Sequence, residues 1–349
     1  MKFSKFCGTP RELGVNYATA FREHIEKNVD MLVKRFRNGA AVILSDSSFT
    51  KWVEDQREVI SLNWPWLIEE MKGVAEGACQ DFQDILFLNL RVWQYAYYSE
   101  KAASSCSSVI VELADGSIAN AGALDDATCF YDGMVKIIPD HGYRYLTFPI
   151  IGTSWGNRGI NNAGLCIGTS TQILKGVERS PGSICADIAN RVILQTCATV
   201  GDVRNFCNKH PFTLNLACSD KNGDVFCAHQ TTAGTYELPQ GSPCVLANHV
   251  ADDRIMYELS QKGVSEFQEN ITTRMRRGRL LDFILRFNKK STAEDVRQYI
   301  ADRMQGHPSS ICPRGNLVLT YANSQREPGA LWIAHPQAED SEQWELYIL

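Results

Sequence analysis

One cysteine in this 349-residue chain stands in a setting that suits a nucleophile. Cys106 sits between two serine pairs, Ser104-Ser105 and Ser107-Ser108, at the entry to the β-branched run SSVIVEL. A thiol is mostly protonated at neutral pH and the thiolate is the attacking species, so a base has to take the proton. A histidine is the usual partner, and His249 is the best placed for a cysteine–histidine pair. A second solution uses the α-amine of the cysteine itself, which titrates at about 7.7–8.0. That solution requires the Ser105–Cys106 peptide to be cut, and the small flanking residues leave this bond open to attack by the neighbouring thiol. Asp115-Gly116 is a strong hairpin signal. The returning strand SIANAGALDD brings an acid, Asp125 or Asp126, back to the end of the sheet where Cys106 lies. The same two residues also suit a turn pair or a helix cap.

Elements of several kinds must position these groups. Apolar spacing predicts helices over 11–36, 48–72 and 81–99, with GVAEGACQDF turning between the last two. Strands are expected in SSVIVEL, MVKIIPD, YRYLTFPIIG and GLCIGTSTQIL. The run SICADIANRVILQTC predicts a helix with Asp187 and Asn190 on its polar face, and a second helix follows over 198–208. LNLACSDKNGDVFCAHQT reads as a hairpin turning at Lys221-Asn222-Gly223-Asp224, with helices over 272–288 and 291–306 after it. NLVLTYANS, GALWIAHP and WELYIL close the chain as strands. Antiparallel hairpins with segregated helices predict an α+β fold with layered sheets. The sharpest change of character falls near residue 105, and no internal repeat or low-complexity linker divides the chain.

Charge and composition exclude several classes. Lys and Arg total 35 against 40 for Asp and Glu, a net charge of −5. The one dense basic run, Arg274-Met275-Arg276-Arg277-Gly278-Arg279, is too short to argue for nucleic acid. Arg276, Arg277 and Arg279 read as solvated helix charges. No apolar run reaches membrane-spanning length, and the opening MKFSKFCGTPRELG has no stretch of signal-peptide length. Twelve cysteines occur without a C-x-x-C pair. The expectation is a reduced, cytoplasmic protein whose other cysteines pack as small apolar residues. The loop with Gly152, Gly156, Gly159 and Gly164 lacks dinucleotide spacing. Asn161 and Asn162 within it shape turns, and Trp155 is a candidate pocket-lining aromatic. No metal or organic cofactor is expected.

Several stretches in order resemble the acyl-coenzyme A:isopenicillin N acyltransferase family of N-terminal nucleophile (Ntn) hydrolases. They are CGTPRELGVNYATAF, EEMKGVAEGACQDFQDILFLNLR, CSSVIVELADGSIANAGALDD, GTSWGNRGINNAGLCIG, LANHV, ITTRMRRGRLLDFI and LWIAHP. The series carries the likeness, since no single stretch is specific. The resemblance implies a four-layer αββα sandwich and self-cleavage between Ser105 and Cys106. Residues 1–105 would then form a mainly helical α-subunit and 106–349 the catalytic β-subunit, the fragments staying together as one globular unit. By the same resemblance Cys106 is nucleophile and, once freed, its own base, and Asp125 is the acid at its amine. Asn248 helps form the oxyanion hole, and Arg274 supports the nucleophile region with Thr273 beside it. Asp126, Trp155, His249 and Thr273 are the residues expected near substrate. Two positions depart from the family pattern: Ser105 stands where glycine is frequent, and Ala123 where asparagine is common.

The expected function is hydrolysis of a small-molecule amide through a Cys106 acyl-enzyme. An acyltransferase that moves an acyl group from a thioester or amide to an amine acceptor is the first alternative. A non-catalytic binding protein that keeps the fold is the second. Neither nucleic acid nor membrane is an expected partner.

Overall fold

The computed structural model of the chain describes residues 3–39, 44–93, 106–124, 134–154, 156–172, 174–175, 182–239, 241–266, 271–287, 290–302, 316–321, 330–334 and 344–348. Two compact units alternate along the sequence. One comprises Met1–Ala102, Thr128–Gly156 and Arg179–Gln195; the other comprises Ala103–Ala127, Asn157–Glu178 and Thr196–Leu349. In chain order the strands are β1 (Phe3–Gly8), β2 (Ser107–Glu112), β3 (Ile118–Leu124), β4 (Met134–Pro139), β5 (Tyr145–Pro149) and β6 (Gly156–Asn161). Then come β7 (Cys166–Ser170), β8 (Leu174–Lys175), β9 (Leu214–Ser219), β10 (Val225–Thr231), β11 (Gly234–Glu237) and β12 (Val245–Leu246). The last are β13 (Ser265–Glu266), β14 (Asn316–Tyr321), β15 (Ala330–Ala334) and β16 (Trp344–Ile348).

The first unit takes in chain from both sides of residue 105. Strand β1, which the sequence does not signal, pairs in parallel with β4, and β4 pairs antiparallel with β5. This ladder draws residues 134–149 into the N-terminal unit. The expected helices are also subdivided. Residues 11–36 form the helices Pro10–Ala20 and Arg22–Asn28, a π-helical stretch Val29–Lys34, and the start of Arg35–Gly39. The first is opened by a capping box, Thr9 donating from its backbone N and from Oγ1 to Glu12 Oε2 at 3.0 and 2.8 Å. The 48–72 helix breaks into Ser47–Asn63 and Pro65–Ala78, because proline has no N–H to continue the ladder. Gly73 and Gly77 do not turn the chain; they lie within that second helix. A Cβ on Gly14 would run into the Glu70 carbonyl, and one on Gly73 into the Arg11 carbonyl, so these glycines let the helices Pro10–Ala20 and Pro65–Ala78 pack backbone to backbone. Asp187 and Asn190 are buried rather than on a wet face, Asp187 lying 3.5 Å from Arg91.

The second unit is a four-layer sandwich. One sheet has the order β12-β2-β3-β14-β15-β16, antiparallel throughout. The facing sheet contributes β6-β7-β9-β10-β11, also antiparallel. Strand alternation assigns the faces. Val109, Val111, Ala119, Ala121 and Ala123 point outward to Leu280, Phe283, Val296 and Ile300 of the helices Ile271–Phe287 and Ala293–Ile300. Ser108, Ile110, Asn120 and Gly122 therefore point inward to β7 and β9. On the far side the helix Val200–Lys209 packs on β9, β10 and β11. The layers run helix, sheet, sheet, helix, so the α+β fold expected from the sequence is the fold observed. The hairpins form where turn chemistry predicts. Asp115 Oδ1 accepts from Ser117 N and Oγ at 3.1 and 2.6 Å, with Gly116 at φ +79°. Among the described residues no helix is long and apolar enough to cross a membrane.

Candidate active site

Cys106 lies at the mouth of β2, just before the first ladder pair, Ser107 with Ala123. It is buried. Several other thiols are buried in ways that keep them inert: desolvation pushes Cys185, Cys197 and Cys207 up to about 12. Cys106 is distinguished by its surroundings, for two buried guanidinium groups serve its segment.

The first is Arg276. Its Nη1 donates to the Cys106 carbonyl at 2.5 Å and its Nη2 to Asn248 Oδ1 at 2.9 Å. Asn248 Nδ2 in turn donates to the Thr171 carbonyl at 2.8 Å. Arg276 is completely buried, which corrects its reading as a solvated helix charge. The signal was present in the sequence. Counting back from Leu280 and Phe283, helical spacing puts Arg276 and Thr273 on the same stripe, and all four are buried. Arg274 lies about 200° around the helix from Arg276. It is half exposed, and its Nη2 donates to Glu266 Oε2 at 2.7 Å. The arginine held against the nucleophile's backbone is therefore Arg276, while Arg274 pairs with Glu266. The other oxygen of that carboxylate, Oε1, accepts from Val250 N at 3.0 Å. Arg277 and Arg279 are also engaged, with the Val245 carbonyl and with Asp302.

The second is Arg158 on β6. It is buried between the sheets, its Nη2 donating to the Ser107 carbonyl at 2.5 Å and to Ser108 Oγ at 2.6 Å.

The loop after β12 presents Asn248 and His249. His249 Nδ1 is hydrogen-bonded to Thr273 Oγ1, so those two expected site residues do meet. Burial, followed by the nearby charges of Arg274 and Arg277, pushes this imidazole down to about 3. A group so reluctant to take a proton is a poor base for a thiol, which weakens the cysteine–histidine alternative. The loop is held from beneath by residues the sequence reading passed over. Ala251 N–H donates to His229 Nε2 at 2.9 Å, so His229 carries its proton on Nδ1 and donates to Asn215 Oδ1 at 2.6 Å. Asn215 Nδ2 and Ser170 Oγ both donate to the Ala247 carbonyl. Burial pushes His229 down to about 3 as well, which keeps it neutral in this chain of bonds.

Asn161 shapes its turn as expected, its Oδ1 accepting from Ala163 N and Leu165 N at 3.1 Å each. Ser105, Asp125, Asp126 and Trp155 lie outside the described residues. The departure at Ala123 falls on a strand position that faces the apolar helix layer. Among the described residues no cluster of His, Cys, Asp and Glu could hold a metal ion.

The sequence comparisons define the class, an acyltransferase family. A family model described as acyl-coenzyme A:6-aminopenicillanic acid acyl-transferase matches residues 123–316, more than half of the chain, and the chain belongs to that family. The matched segment holds Asn248, His249 and Arg276, while Cys106 lies ahead of it. The acyl-coenzyme A:6-aminopenicillanic-acid-acyltransferase 40 kDa form of Emericella nidulans is 23% identical over 190 residues, 54% of this chain and 52% of that protein. The chain thus matches about half the length of that relative. A variant of conjugated bile acid hydrolase from Clostridium perfringens aligns with a TM-score of 0.45 and 13% identity, over 70% of this chain and 92% of its own. An N-acylethanolamine-hydrolyzing acid amidase ortholog from Caenorhabditis elegans aligns with a TM-score of 0.41 and 12% identity, over 70% of this chain and all of its own.

Proposed function

We propose that the protein is a self-processing cysteine enzyme that cleaves small-molecule amide bonds through an acyl-enzyme on Cys106. The observation that carries this reading is the linkage from the Cys106 carbonyl through Arg276 to the Asn248 side chain. It ties the backbone of the attacking residue to a primary amide in one rigid unit, the preorganisation acyl transfer needs.

Processing begins when Cys106 Sγ attacks the Ser105 carbonyl carbon, the peptide nitrogen leaves as the α-amine, and water hydrolyses the resulting thioester. The freed amine then takes the thiol proton. The thiolate adds to the substrate carbonyl, and the oxyanion is received by Asn248 Nδ2, a donor with two protons. Collapse breaks the C–N bond, and the proton passes from the α-amine to the leaving amine. Water, deprotonated by the same amine, releases the acyl group as an acid. Asp125 steadies the α-amine, while Asp126, Trp155, His249 and Thr273 stand near the substrate.

The fragments 1–105 and 106–349 stay together after cutting. Strand β1 from the first is laddered to β4 of the second. Gln56 bonds Ser183 O and Cys185 N, and Glu70 pairs with Arg191 at 2.7 Å. The protein works in the cytoplasm, where the thiols among the described residues persist.

A panel of N-acyl amines and thioesters, quenched in acid and mapped by mass spectrometry, tests this reading. The expected result is the substrate's acyl mass on the Cys106 peptide. Turnover that leaves Cys106 unmodified, or that survives Cys106→Ala, overturns it.

The family description and the Emericella nidulans relative's name favour a second reading, transfer to an amine rather than to water. Hydrolysis needs no dedicated acceptor site and is the simpler case. A new amide formed only when an amine is added would decide for transfer. An uncut chain with an inert Cys106 would leave a binding protein.

A further inference from the structure

The geometry points to Arg158 as a positioning residue for the reaction at Cys106. It fixes the two residues that follow the nucleophile and keeps a positive charge within electrostatic reach of Cys106 while the thiolate forms and attacks. The inference rests on Cys106 being the nucleophile.

Space for this side chain is made on both sheets. Arg158 on β6 stands directly across from Gly168 on β7. Ser108 on β2 stands across from Gly122 on β3. A Cβ on Gly122 would meet the Ser107 carbonyl and Arg158 Nη2, and a Cβ on Gly168 would meet Arg158 Nη1 and Asn120 Oδ1 at 2.7 Å. Two strands thus give up side chains where the guanidinium lies. The group grips Ser107 O and Ser108 Oγ from the inner face, while Arg276 grips Cys106 O from the helix layer. Consecutive carbonyls are held from the two sides, which leaves the backbone at the nucleophile little freedom. Burial pushes the Arg158 guanidinium down to about 10, and the charge it senses at Cys106 pulls the other way. It therefore remains a cation at neutral pH. A fixed cation already in place costs no reorganisation when negative charge develops on sulfur. Arg276, Arg277, Arg274 and His249 also belong to this neighbourhood, so the test has to isolate Arg158 by substitution.

Two alkylating agents separate charge from shape. Iodoacetate is an anion and iodoacetamide is neutral, and both attack the same sulfur. Rates are measured on the Cys106 peptide by mass spectrometry in the processed protein. Loss of a nearby cation lowers the iodoacetate-to-iodoacetamide ratio, by about three- to tenfold in Arg158→Met. Arg158→Lys keeps the ratio near the parent value while losing the two-pronged grip. With a substrate in hand, Arg158→Met lowers kcat about 10²-fold with KM little changed, and the lysine variant recovers part of the loss. Should Arg158→Met fail to fold or process, Gly168→Ala takes its place. Its methyl group intrudes only on side-chain atoms, displaces the guanidinium, and lowers ratio and kcat in the same direction. An active parent whose ratio and kcat stay within twofold in these variants overturns the inference. A parent with no acyl-enzyme whose ratio still falls in Arg158→Met supports the placement of the charge and sinks the enzyme reading instead.

Discussion

Arg276→Met removes the hub of the proposed site while keeping much of its volume. The arginine makes charge-assisted bonds to Cys106 O at 2.5 Å and Asn248 Oδ1 at 2.9 Å, and it is completely buried. Removing it withdraws one donor from each of two acceptors, at about 1–3 kcal/mol apiece. The expected loss of stability is therefore on the order of 2–6 kcal/mol, read as a lower denaturant midpoint with an unchanged slope. The catalytic loss is separate. Asn248 no longer has its carbonyl oxygen anchored, and an oxyanion donor lost or displaced costs about 10²–10³ in kcat. Because Arg276 acts through Asn248, the two changes are not additive, and the double variant with Asn248→Ala should be no slower than the worse single one. The assay is steady-state kinetics on the four proteins of the cycle, with Arg274→Ala as a surface control expected to fall within about threefold of the parent. Arg276→Met behaving like Arg274→Ala, or additive losses in the cycle, would refute the reasoning.

Other perturbations read other parts of the molecule. His229 and His249 are held neutral with pKa values near 3, below the ordinary 6.5. The unfolded chain takes up these protons first as pH falls. Stability should therefore be intact above 6.5 and decline from there toward 3, by about 1.4 kcal/mol per pH unit for each histidine; a flat stability curve over that window would contradict the assignment. His249→Gln should retain processing and most acyl-enzyme formation, and loss of both would return the histidine to the role of base. Gly73→Ala should destabilise by about 1–3 kcal/mol, seen in chemical denaturation, because its methyl group meets the Arg11 carbonyl.

Local chemistry made much of the second unit legible. The Asp115-Gly116 turn, the period-2 runs and the Asn222-Gly223 turn each predict a hairpin, and each hairpin forms. Fold class followed from their order. The site was harder, because its residues meet only through layering. Arg276 and Arg274 differ by two places in sequence and by opposite faces in the helix, and a likeness of motifs does not fix that phase. The apolar stripe at Leu280 and Phe283 does. Arg158 gave no local signal at all. Its importance depends on Gly122 and Gly168, which stand beside it only because two sheets face each other. His229 and Asn215 are silent for the same reason, since their partner is the backbone of a loop some twenty or more residues further along the chain. Strand β1 was missed because its partner β4 lies far along the chain.

The most direct test of the central claim is the intact mass of the purified protein under denaturing conditions, beside Cys106→Ala. The account predicts two masses in the parent, those of residues 1–105 and 106–349, the second beginning with a free cysteine amine, and one uncut chain in the variant. A folded parent that remains a single chain would contradict it, for Cys106 would then have no α-amine to serve as its base.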